Sequence, residues 1–106
     1  IEASNLMLLP NDLPSHQLAC LVLNYMTAFG LLTSAKQLKP GDSILVMGAS
    51  GAVGTALCQL GRVLGLRVVG VATAAKLVHV NAQGAFGQAY DQPDLRSRLY
   101  CLTPQG

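Results

Sequence analysis

The sequence predicts an α/β domain with three parallel strands in the spatial order 3-2-1 and helices flanking them. Three observations lead there. Short apolar or β-branched runs alternate with longer helix-like runs, the pattern of a parallel sheet joined by right-handed crossovers. Hydrophobic residues make up 51% of the chain and charged residues 11%, a balance that suits strands covered by neighbours rather than a disordered tail. And "VMGASGAVGTALCQLGR", Val46 to Arg62, sets Gly48, Gly51 and Gly54 three apart between an apolar run and a helix-like run.

The elements follow in order. Residues 1–14 read as an extended lead-in or linker, punctuated by Pro10 and Pro14. Leu13 to Leu38 reads as a helical region that Ser15 can cap, with Leu18, Leu21, Val22, Tyr25 and Phe29 on one side. Pro40-Gly41 breaks it with a turn. Ser43 to Met47 is a short buried strand, and Ala52 to Gly65 a helix with Gly65 as its C′ stop. Leu66 to Thr73 is a second strand, rich in β-branched residues. Ala75 to Gln83 is a short helix closed by Gly84, and Ala85 to Tyr90 a third strand. Asp91 to Asp94 opens a last helix that stops in a turn. Strand-helix-strand-helix-strand in this order is half of a doubly wound dinucleotide-binding fold, a partial Rossmann domain over residues 15–106.

Bulk properties narrow the function. With 106 residues the chain has room for one domain. A formal net charge of +2 without any Lys/Arg cluster points away from nucleic acid. The longest apolar run, Leu18 to Leu32, is interrupted by Asn24, Thr27 and Gly30, so no membrane span is expected. No basic-plus-apolar leader stands at the start, where the first residue is isoleucine. Cys20, Cys58 and Cys101 are too scattered for a disulfide framework or a zinc knuckle. They read as buried or half-buried thiols on helices, in a reducing, cytoplasmic setting. His16 and His79 have no sequence-near carboxylate, and no carboxylate pair or metal set appears. No catalytic residue and no metal ligand is therefore assigned.

The glycine turn carries the chemistry. Gly48 leaves the strand where a tight turn wants no side chain. Gly51 and Ala52 let the backbone approach a pyrophosphate, and Gly54 lets the helix pack close to the strand. Backbone N–H groups around Ala52, Val53 and Gly54 then face the phosphates, helped by the helix dipole. Ser50 sits within the turn, but no G-x-S-x-G elbow surrounds it. A GxxxxGK[ST] phosphate loop is excluded, because no lysine follows Gly54. NAD binders usually place Asp or Glu at the end of the second strand, yet none occurs between Asp42 and Asp91. Thr73 offers a hydroxyl there and Lys76 a cation, which suit a 2′-phosphate and so NADP over NAD.

"LVLNYMTAFGLL", "LKPGDSILVMGASGAVGTALCQLGRVLGLRVVGVATAAK" and "GAFGQAY" together resemble the medium-chain dehydrogenase/reductase superfamily, in its zinc-independent quinone oxidoreductase (zeta-crystallin-like) branch. The GxxGxxG spacing is similar to the AxxGxxG turn of that branch. The resemblance implies an NADPH-dependent, alcohol dehydrogenase-like reductase of quinones or enones, with hydride passing from the nicotinamide and no metal. It implies that Thr27 lies near the nicotinamide, with Asn24 in the same segment. Gly51, Ala52, Val53 and Gly54 match the pyrophosphate turn, with Ser50 beside them as a further candidate cofactor-binding residue, and Thr73, Lys76 and Tyr90 match positions that hold the adenosine 2′-phosphate. Family members carry an N-terminal barrel-like domain and a second half of the nucleotide domain, both absent here. The chain is thus expected to be a fragment, a nucleotide-binding segment inactive alone, or else a small non-catalytic binding or assembly module. An uncovered first strand also leads to an expected homodimer or larger assembly through that strand or the first helix.

Overall fold

The computed structural model describes residues 2–5, 8, 11–34 and 37–103. Much of the predicted lead-in, the residues 35 and 36 and the final turn at 104–106 lie outside the described residues.

Three parallel strands form one sheet in the order β1-β2-β3: β1 is Ser43–Met47, β2 Arg67–Ala72 and β3 Phe86–Ala89. The predicted 3-2-1 order is borne out. Register pairs Ser43 with Arg67 and Met47 with Val71 across the first ladder, and Val69 with Phe86 and Ala72 with Ala89 across the second. Among the described residues five α-helices accompany the sheet: α1 (Ser15–Cys20), α2 (Met26–Ser34), α3 (Ala52–Val63), α4 (Leu77–Ala82) and α5 (Leu95–Leu102). A π-helical turn, Leu21–Tyr25, joins α1 to α2, and a 3₁₀ turn, Ala74–Lys76, precedes α4.

Alternation along the strands decides what is buried. Val46, Val68 and Ala72 join Cys58 of α3 and Val80 of α4 in one core, with Ala49, Leu66, Ala85 and Leu32 of α2. Helices α3 and α4 therefore cover one face of the sheet, and α2 packs outside α3. On the opposite face Val69 and Val71 of the central strand are buried, while Leu45 and Met47 of β1 are 52% and 60% exposed. Helix α5 reaches that face and forms, with β1, a groove of about 350 Å³ lined by Ser43, Leu45, Arg96, Leu99, Tyr100 and Thr103.

Helix α3 ends as predicted, with Gly65 at φ +76° and the Leu66 N–H donating to the Gly61 carbonyl. Other expectations need correction. Ser15 does not cap α1: the Pro14 carbonyl accepts from Gln17 and Leu18, so Ser15 already lies in the first turn. The predicted inner face of the first helical region holds only in part: Leu18 and Tyr25 are half-buried. Val22 and Phe29 are exposed, and α2 buries Ala28 and Leu32 instead. The π turn adds a residue to one revolution, which rotates the apolar stripe by about 100°.

Cys58 is buried as expected, and burial pushes its thiol pKa up from the ordinary 9.0. Cys101 is exposed, contrary to expectation, because α5 keeps none of its residues fully buried. The side chain of Cys20 lies outside the described residues. The expectation of no membrane-length segment also changes. Ser15–Ser34 is one helical run of 20 residues, long and apolar enough by length and composition to cross a membrane. Asn24, Thr27 and Gly30 do not break it, and the Thr27 and Thr33 hydroxyls donate to Leu23 and Phe29 carbonyls within the run. A core helix of a soluble protein passes the same test.

Candidate dinucleotide-binding site

The carboxyl ends of the three strands meet at one end of the sheet, where ligands of such sheets bind. β1 runs directly into the glycine turn. Gly48 adopts φ +71°, a left-handed conformation that glycine enters without a Cβ penalty. Its carbonyl accepts the Gly51 N–H at 3.0 Å and closes the turn. Ala49 extends the ladder by donating to the Val71 carbonyl at 3.0 Å. Gly51 is the N-cap of α3 and accepts the first helical bond, from Thr55, at 2.8 Å.

Two features of this turn suit an anion. Among the described residues, the N–H groups of Ala52, Val53 and Gly54 have no hydrogen-bond partner, and no side chain caps the helix. Those three donors stand at the positive end of a 12-residue helix. The helix also starts hard against the strand exit. A Cβ on Gly54 would lie 2.2 Å from the Gly48 carbonyl oxygen and 2.8 Å from Ala49 Cα, so only glycine allows this approach. A pyrophosphate fits such a cradle: open donors, no side chain at residue 51, and a backbone fixed by its own bonds.

At the end of β2, Thr73 is exposed and extended, and its carbonyl accepts the Lys76 N–H at 2.9 Å. Lys76 is exposed too, and the salt bridge found among the described residues lies elsewhere, between Arg98 and Asp94. At the end of β3, Tyr90 continues the ladder through its N–H to the Ala72 carbonyl at 3.1 Å. Its hydroxyl accepts the Gly48 N–H at 2.7 Å. The structure thus brings Ser50, Gly51, Ala52, Val53, Gly54, Thr73, Lys76 and Tyr90 to the same end of the sheet.

Asn24 and Thr27 are placed differently. Both belong to the helical run outside α3, and neither bonds to the glycine turn. The Thr27 hydroxyl donates to the Leu23 carbonyl at 2.6 Å, so its proton is already committed. Among the described residues no cluster of three metal-ligating side chains occurs.

Polar links between the outer helices were not foreseen from the sequence. The Tyr25 hydroxyl donates to Gln59, whose amide in turn donates to Gln83, and Thr55 bonds His79 Nε2 at 3.0 Å. These bonds tie the π turn before α2 to α3, and α3 to α4 and its C-cap Gln83, behind the glycine turn. His79 is therefore a partner within the helical layer, consistent with its lack of a carboxylate neighbour in the sequence. Thr55 and His79 are 24 residues apart, so no local spacing announces them.

A parallel sheet with a glycine turn between its first strand and first crossover helix defines a Rossmann-type nucleotide-binding fold. The proteins this chain resembles in sequence and in fold are quinone oxidoreductases of the medium-chain dehydrogenase/reductase superfamily and a VAT-1 homolog. The chain is 45% identical over 64 residues to quinone oxidoreductase of Pongo abelii, covering 60% of this chain and 20% of that protein. It is 36% identical over 108 residues to the synaptic vesicle membrane protein VAT-1 homolog of Rattus norvegicus, covering 100% of this chain and 27% of that one. Quinone oxidoreductase of Pseudomonas syringae superposes with a TM-score of 0.84 at 34% identity, over 95% of this chain and 32% of its own. Quinone oxidoreductase of Thermus thermophilus, solved also as its complex with NADPH, gives 0.81 at 35% identity, over 92% and 34%. The chain thus spans about a fifth to a third of the length of these relatives. No family model matches it.

Proposed function

We propose that the chain is the NADPH-binding segment of a quinone or enone oxidoreductase. The carrying observation is the glycine turn with three open N–H donors, beside a β2 end that offers Thr73 and Lys76 but no carboxylate. The pyrophosphate sits on Ala52, Val53 and Gly54, and the 2′-phosphate lies against Thr73 and Lys76. NADPH, once bound, supplies the hydride. The residues of this chain bind and orient it. Quinone oxidoreductases of the same fold solved with NADPH support this reading.

Residues 15–106 act as a partial nucleotide domain, with 1–14 as the lead-in to it. Substrate contacts and most transition-state stabilisation belong to groups outside these residues. The 106-residue chain alone is therefore expected to show no NADPH oxidation with a quinone, and measurable turnover by pure protein contradicts that. A second reading, a binding or assembly module, is favoured by β1. Among the described strands it pairs on one side with β2, and it exposes Leu45 and Met47. A cytoplasmic location belongs with either reading.

Backbone amide resonances followed during titration with 2′,5′-ADP and 5′-ADP test the assignment. Both ligands are expected to shift Ala52, Val53 and Gly54, and 2′,5′-ADP alone to shift Thr73 and Lys76. Unmoved resonances at residues 52–54 with either ligand would sink it.

A further inference from the structure

We propose that Tyr90 is a positioning residue: its hydroxyl holds the N–H of Gly48 and so fixes the glycine turn for any dinucleotide, whether or not a 2′-phosphate is present. The proposal deepens the reading above and rests on the turn receiving a pyrophosphate. Three observations carry it. First, the contact is long-range and direct, at 2.7 Å between residues 42 apart in sequence. β3 and β1 are separated by β2, about 9–10 Å at the usual spacing of two strand intervals. The phenol therefore crosses the carboxyl end of β2 to reach the turn.

Second, both polar backbone groups of Gly48 are engaged. The N–H goes to Tyr90, and the carbonyl takes the Gly51 N–H at 3.0 Å. That carbonyl also packs where a Cβ of Gly54 would stand, so it sets how closely α3 approaches the strand. Holding Gly48 thus holds the direction of the three open donors of α3.

Third, among the described residues no backbone acceptor serves the Gly48 N–H. The β1-β2 register ends at Met47 with Val71, and the next ladder bond, from the Ala49 N–H to the Val71 carbonyl, skips Gly48. Without the phenol oxygen this donor has water alone, and the left-handed Gly48, at φ +71°, is freed to sample its other conformations. Accepting one bond leaves the phenol its own proton. A contact between that proton and a bound nucleotide is compatible with the role but is not its source.

Tyr90→Phe keeps the ring and removes the acceptor. Two measurements on the chain decide. Hydrogen exchange at the Gly48 amide is expected to quicken about fivefold, the loss of one ordinary hydrogen bond, while Ala49, held by Val71, stays unchanged. Titration is expected to show NADPH and NADH both weakened, again about fivefold, with their affinity ratio preserved. Lys76→Ala provides the contrast, weakening NADPH alone. If Tyr90→Phe weakens NADPH and leaves NADH untouched, Tyr90 is a 2′-phosphate ligand and the proposal is overturned. Unchanged exchange at Gly48 overturns it as well. If neither cofactor binds the parent chain but Gly48 exchange quickens, the holding role stands and the NADPH reading is what fails.

Discussion

A methyl group at residue 54 would enter the backbone of the glycine turn, where no flexible side chain can yield. Gly54→Ala is therefore expected to destabilise the chain by roughly 1–3 kcal/mol, measured by urea unfolding, or to displace α3 and lose nucleotide binding. Cys58 makes a second prediction. Its buried thiol has a pKa above the ordinary 9.0, so the thiolate is suppressed in the folded state. A thiol reagent at neutral pH should label Cys101 and spare Cys58 until the chain unfolds. The sign for stability follows: the contribution is complete below the unfolded thiol pKa and falls as pH rises through the folded one. Urea midpoints measured upward through the thiol range should decline, and Cys58→Ala should remove that part of the decline. At this scale the turn was legible because the requirement is local: three glycines, a preceding strand and a following helix lie within one short stretch. The role of Tyr90 was not, because its partner is 42 residues away and nothing in "GQAY" points at Gly48.

Helix α2 shows where periodicity misleads. The apolar positions of the first helical region do recur at helical spacing, but the π turn at Leu21–Tyr25 rotates the stripe before α2 begins. Truncating the exposed Phe29 to alanine should therefore change stability by no more than about 0.5 kcal/mol. Leu32→Ala should cost about 2–5 kcal/mol, because Leu32 is part of the core. Equal effects at the two positions in urea unfolding would contradict the packing of α2 on α3. The strands were easier to place: β-branched runs bounded by Pro40-Gly41, Gly65 and Gly84 fix their positions to within two residues. Their pairing order followed from the crossover rule rather than from composition. β1 is the element whose surroundings matter most for behaviour in solution. An apolar strand with an open edge invites pairing with another chain. Concentration-dependent association in light scattering is expected, reduced in Leu45→Lys or Met47→Lys. A monomer at all concentrations would count against an assembly through β1.

At the scale of the whole molecule, sheet order, helix placement and superposition on quinone oxidoreductases agree with one account: a sheet end built to hold a dinucleotide. The preference within that account, NADP over NAD, rests on Lys76 and Thr73 and on the absence of a carboxylate between Asp42 and Asp91. Calorimetric titration of the chain with NADPH and NADH, repeated on Lys76→Ala, tests both parts together. The predicted result is saturable binding of NADPH at least about tenfold tighter than NADH, a difference of about 1.4 kcal/mol that Lys76→Ala largely removes. Saturable binding of neither cofactor, or equal affinity for the two in the parent chain, would contradict the account.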